Sequence, residues 1–92
     1  MNDGFEKDIR RLAAVRGGIC LYQTAEALAL VEVCRQKGVP VLGVDAFLLG
    51  SNTTQPLLEH SIDLSGSPCS HLLAKRFLED RKEQGVYYEV VY

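Results

Sequence analysis

The chain has no tryptophan, only two histidines, three cysteines that are never closely spaced, and no lysine or arginine from Gly38 to Ala74. The shortages of histidine and of paired cysteine each remove a class of function. His60 and His71 alone cannot build a histidine-rich metal centre. Cys20, Cys34 and Cys69 are odd in number and lack Cys-x-x-Cys spacing, so neither a disulfide framework nor a structural zinc site is expected. Reduced, mostly buried thiols are the reading instead, since free cysteine behaves as a small hydrophobe. Gly17-Gly18 lacks the Gly-Lys-Ser/Thr ending of a phosphate loop. Glu32, Arg35 and Asp45 interrupt the longest apolar stretches, so nothing approaches the roughly 20 apolar residues that span a bilayer. Met1 to Glu6 offer neither the basic start nor the apolar run of a secretory leader. No membrane contact and a cytoplasmic location are therefore expected.

What is present suits one globular domain over residues 1–92, with 47% hydrophobic residues to form a core. A net charge of −2 argues against nucleic acid as a partner. The basic group Lys7, Arg10, Arg11 and Arg16 is interleaved with Glu6 and Asp8 and has no alternating aromatics, so it reads as a solvated helical face. No cofactor and no metal are predicted.

The elements follow from period and punctuation. Phe5, Ile9, Leu12 and Ala13 fall at helical spacing over residues 5–15, and Gly17-Gly18 reads as the stop of that helix. Ile19 to Tyr22 is a brief extended piece. Thr24 is the expected N-cap of a second helix, with Glu26 in its first turn, an inner stripe of Ala27, Leu30, Val31 and Cys34, and Gly38 as a left-handed terminator. Val41 to Leu49 and Leu57 to Leu64 read as two strands of a hairpin turning at Gly50 to Thr54. Ser67 and Pro68 are the expected N-cap and first residue of a third helix, with Cys69, Leu73 and Phe77, flanked by Leu72, as its inner stripe. Gly85 is its expected end, and Val86 to Tyr92 form a last strand. The order is α-α-β-β-α-β: an α+β fold with a small, mainly antiparallel three-stranded sheet and helices packed on one face.

Strand alternation turns this layout into a surface. In the returning strand Leu58, His60, Ile62 and Leu64 are expected to face the core, which makes His60 a core histidine and turns Glu59, Ser61 and Asp63 outward. In the first strand Leu42, Val44, Ala46 and Leu48 suit the helix-covered side, leaving Val41, Asp45, Phe47 and Leu49 on the other. If no helix covers that second side, Val41 and Phe47 stand among Asp45, Glu59 and Asp63, an apolar patch with an acidic surround that suits a protein partner with a basic surface. The candidate partner-binding residues are Val41, Asp45, Phe47, Glu59, Ser61 and Asp63. Reversing Glu59 and Asp63 to lysine is expected to spare the fold and abolish binding. No catalytic residue is assigned, because an open sheet face offers carboxylates little of the shelter that acid–base chemistry needs.

The helix ending at Gly38, the run Val41-Leu42-Gly43-Val44-Asp45-Ala46-Phe47, the polar turn and the second strand ending near Asp63 resemble the small immunity proteins of bacterial polymorphic-toxin systems. The resemblance covers about the middle third of the chain. It implies a cytoplasmic neutraliser that covers a toxin's functional surface, and it carries over no catalytic residue. The alternative from another class is a small oligomeric accessory protein or enzyme with a carboxylate-containing site between subunits. Homodimerisation is expected through the aromatic, β-branched terminal strand, whose only charged side chain is Glu89, should that strand lie at a sheet edge.

Overall fold

Gly17 and Gly18 take positive φ angles of 57° and 81°, and the chain reverses there: β1 (Ala14–Arg16) pairs antiparallel with β2 (Ile19–Leu21). A two-residue turn with both central residues at positive φ matches the right-handed twist of flanking strands, and Gly-Gly reaches it at no steric cost. The pair of glycines is thus a hairpin turn and not the end of a helix, and Ala14 and Val15 are strand residues. The computed structural model describes residues 9, 11, 13–81 and 86–92. Of the helix expected over residues 5–15, Phe5 and Leu12 lie outside the described residues, while Ile9 is helical and buried in the main core.

α1 (Thr24–Lys37) buries Ala27, Leu30, Val31, Val33 and Cys34, the expected stripe widened by Val33. Its N-cap is Gln23 and not Thr24, and no side chain caps it. Gly38 closes it at φ 69°, with its N–H donating to Arg35 O and the Val39 N–H to Cys34 O. That left-handed geometry is why glycine stands there.

β3 (Gly43–Leu49), β4 (Thr54–Asp63) and β5 (Val86–Val91) form an antiparallel sheet in the order β4-β3-β5. Tyr22 continues from β2 onto the outer edge of β5, exchanging two backbone hydrogen bonds with Tyr88 at 2.8 and 2.7 Å. The β5 edge on which strand-paired dimerisation was expected is therefore already met at its centre. Arg16 Nη1 donates to Gly50 O and Thr53 O, joining the first hairpin to the turn between β3 and β4.

α2 (Ser70–Glu79) begins two residues later than Pro68 and ends with Asp80 as C-cap; Gly85, its expected end, lies outside the described residues. Ser67 acts just ahead of it, its hydroxyl accepting the Cys69 N–H at 3.4 Å. The buried stripe is Ser70, Ala74, Phe77 and Leu78, whereas Leu72 and Leu73 are exposed. The expected stripe of Cys69, Leu73 and Phe77 is thus rotated about the axis. Small residues at Ser70 and Ala74 let the helix approach closely, and the buried Ser70 hydroxyl accepts the Val41 N–H at 3.2 Å. His71 Nε2 adds a second tie, donating to Val39 O at 2.6 Å.

The main core joins Leu30, Val31 and Cys34 of α1 and Ala74, Phe77 and Leu78 of α2 to Val44, Ala46, Val86, Tyr88 and Val90 of the sheet. Both described helices therefore lie on one side of it, in an α+β arrangement. All three thiols are free; Cys34 is buried, Cys20 half-buried and Cys69 exposed, so the expectation of mostly buried thiols fails at Cys69. Neither described helix is long and apolar enough to cross a membrane.

Candidate functional site

The face turned away from α1 and α2 is assembled by register. Asp45 of β3 stands opposite Glu89 of β5, and Phe47 opposite Tyr87, so an acidic pair and an aromatic pair sit one above the other. All four side chains are half-exposed. Beside them, Leu42, Gly43, Asp45, Ser61, Ile62, Asp63, Ser65 and Val91 line a shallow depression of about 470 Å³. Gly43 forms its floor, where a Cβ would stand 2.9 Å from Ile62 O, so the strands meet this closely only without a side chain.

Two like charges directly opposite across a ladder oppose folding. The Glu89 carboxyl is pushed above its ordinary value, first by burial and then by the negative Asp45 beside it. The folded state therefore holds that proton more tightly than the unfolded chain does, and the stability it contributes is lost as pH rises through the folded titration of Glu89. Glu89→Gln should accordingly raise stability at neutral pH by on the order of 0.5 kcal/mol after solvent screening. Urea titrations of both proteins across pH check this, with the advantage of the variant expected to vanish in acid.

Asp63 behaves in the opposite way. Its Oδ1 accepts the Ser65 hydroxyl at 2.6 Å and the Ser65 N–H at 3.0 Å, which closes an Asx-type turn after β4. These bonds hold the Asp63 carboxyl below its ordinary value, with the hydroxyl as the larger cause. Its contribution to stability is present above ordinary carboxylate titration and is lost as pH falls through the lowered value. Asp63 is thus tied into the turn after β4, so its reversal to lysine, expected with that of Glu59 to spare the fold, would remove these two hydrogen bonds.

β4 departs furthest from simple alternation. Val44 pairs with Ile62, yet Ala46 pairs with Leu57, so residues 58–61 bulge opposite the single Asp45. The Ser61 hydroxyl is inserted into the gap: it accepts the Ala46 N–H at 3.0 Å and donates to Leu57 O at 3.0 Å, standing in for a ladder hydrogen bond. Ser61 therefore holds the two strands together and does not simply point outward. Leu57 takes the inward position expected of Leu58, and Leu58 is 83% exposed. His60 is half-buried within the bulge, and Glu59 is exposed.

Of the sequence-derived site residues, Asp45 and Phe47 lie on the expected face, Asp63 borders it, and Glu59 and Ser61 belong to the bulge. Val41 does not belong to the site. It is fully buried, with Leu42 41% exposed in its place, because regular strand geometry starts only at Gly43 and alternation counted from Val41 is out of step. Sequence reasoning missed Glu89 and Tyr87, whose alternation along β5 put them on this face although nothing local named their cross-strand partners. Among the described residues no group of three or more His, Cys, Asp and Glu side chains is placed to hold a metal ion. Compared with protein-family models, curated proteins and solved structures, the chain matches none of them.

Proposed function

We propose that this chain is a protein-binding module that takes a basic protein surface on the sheet face carrying Asp45 and Glu89, and that its role is to neutralise a toxin in the manner of an immunity protein. The observation that carries the reading is the cross-strand Asp45–Glu89 pair. The fold keeps two carboxylates adjacent at a cost in stability, with Phe47 and Tyr87 next to them and no lysine or arginine between Gly38 and Ala74. A cationic partner removes that repulsion on binding, and the aromatic pair offers apolar contact and a surface for guanidinium stacking.

The depression beside the pair supports this reading over a catalytic one. Ser61 and Asp63, two polar residues lining it, are engaged in backbone and turn hydrogen bonds, so few free groups converge on a small molecule. A shallow, acid-rimmed sheet face is the geometry of a partner surface.

Asp45→Lys separates function from folding, because it turns the like-charge pair into an opposite-charge pair. The thermal midpoint should hold or rise, whereas association with a basic partner should fall steeply. The test is co-expression with each product of the neighbouring genes that arrests growth: wild type is expected to restore growth and Asp45→Lys to fail. Full protection by Asp45→Lys, with its fold verified by circular dichroism, removes the acidic face from the mechanism.

A further inference from the structure

We propose that the β4 bulge is an anchor for the partner, with Leu58 seated on an apolar patch that is ringed by lysine or arginine. This inference rests on the protein-binding reading above and deepens it by naming the partner's chemistry.

Leu58 is the most exposed of the large hydrophobic residues described in this chain, at 83%. A single exposed leucine on a mobile surface would mean little. Here the backbone around it is built. Four residues of β4 stand against one of β3, and the arrangement is closed by the Ser61 hydroxyl between the Ala46 N–H and Leu57 O. Leu57, the neighbour that alternates with Leu58, packs against the core, so Leu58 is held on the opposite side of the strand. Bulges at sheet edges re-aim a side chain, and β4 is the edge of the sheet away from β5. The backbone that carries the leucine is thus tied in place by the Ser61 hydrogen bonds, so less backbone freedom remains to be lost when a partner covers it.

Charge selects the occupant. Glu59 is exposed next to Leu58, Asp45 stands across the ladder from the bulge, and the segment from Gly38 to Ala74 has no lysine or arginine of its own, Arg16 reaching it only at the turn carbonyls of Gly50 and Thr53. An apolar patch with an acidic rim would be repelled, and one with a basic rim is matched. The groove between α1 and α2 differs in this respect, because Glu32, Arg35, Lys75 and Glu79 bring both signs to its wall. It therefore gives no comparable preference and supplies the control.

The probe is a leucine–lysine peptide whose helical form has an apolar face rimmed by lysine, compared with a scrambled peptide of identical composition that has no such face. Affinities are read by calorimetry on wild type, Leu58→Ser, Leu72→Ser and Asp45→Lys. The amphipathic peptide should bind wild type at least about tenfold more tightly than the scrambled one, the scale expected for burying a leucine side chain. Leu58→Ser should erase that preference, and Leu72→Ser, on the helical groove, should keep it. Two results overturn the anchor: a preference that survives Leu58→Ser, or one lost in Leu72→Ser instead. If both peptides bind wild type equally and Asp45→Lys weakens both, the acidic face stands and the Leu58 anchor falls. If neither peptide binds, both readings fall.

Discussion

Phe77→Ala is expected to lower stability by about 3 to 5 kcal/mol, the range for truncating a buried aromatic side chain. Phe77 is 7% exposed on the inner stripe of α2, and its ring meets that of Tyr88 edge-on at a centroid distance of 6.5 Å. The Arg81 guanidinium stands 4.2 Å above the same ring, and the Tyr88 hydroxyl donates to Arg81 O at 2.6 Å. Removal of the ring therefore opens a cavity and releases the contacts that hold the end of α2 against β5. A loss of this size consumes much of what a domain of about this length has to spare. Leu73→Ala serves as the comparison. Leu73 is 37% exposed, and its truncation should shift the urea midpoint far less. Equal shifts would mean that α2 buries the stripe expected from the sequence and not the one described.

Ser61→Ala is expected to cost about 2 to 4 kcal/mol, although it removes a single oxygen atom. The reason is that two backbone groups lose their partner together, and each unsatisfied buried group costs about 1 to 3 kcal/mol. Ala46, whose N–H donates to that oxygen, is fully buried, and Leu57, whose carbonyl accepts from it, is half-buried. Ser61→Thr retains the hydroxyl and should recover most of the loss. Urea denaturation of the two variants measures this, with hydrogen exchange at the Ala46 amide as the local readout. An unchanged midpoint for Ser61→Ala would show that β3 and β4 close onto a direct Ala46–Leu57 bond without the hydroxyl.

The two substitutions fall on opposite sides of what could be read in advance. The burial of Phe77 follows from helical spacing, even with the stripe misplaced by one face, because Phe77 belongs to both the expected and the observed set. The role of Ser61 had no local signal. Its hydroxyl meets an N–H fifteen residues earlier and a carbonyl four residues earlier, a geometry that exists only when β3 and β4 are paired out of simple register. Leu58 shows the same limit. Alternation placed it inward, and the bulge exchanged its position with that of Leu57.

By itself the sequence determined the features that depend on a few neighbouring residues. The helix closed by Gly38 follows from a periodic apolar stripe and a position that demands positive φ. The separation of Val44 and Ala46 from Asp45 and Phe47 follows from the two-residue period of a strand. Only the tertiary structure decided that Gly17-Gly18 turns a hairpin, that α2 rotates to bury Ser70 and Ala74, and that Glu89 stands beside Asp45. These depend on which distant segments share a register and how closely they approach. Local propensity is silent on both, because the energy that selects them comes from packing and cross-strand pairs formed only after the chain has closed on itself.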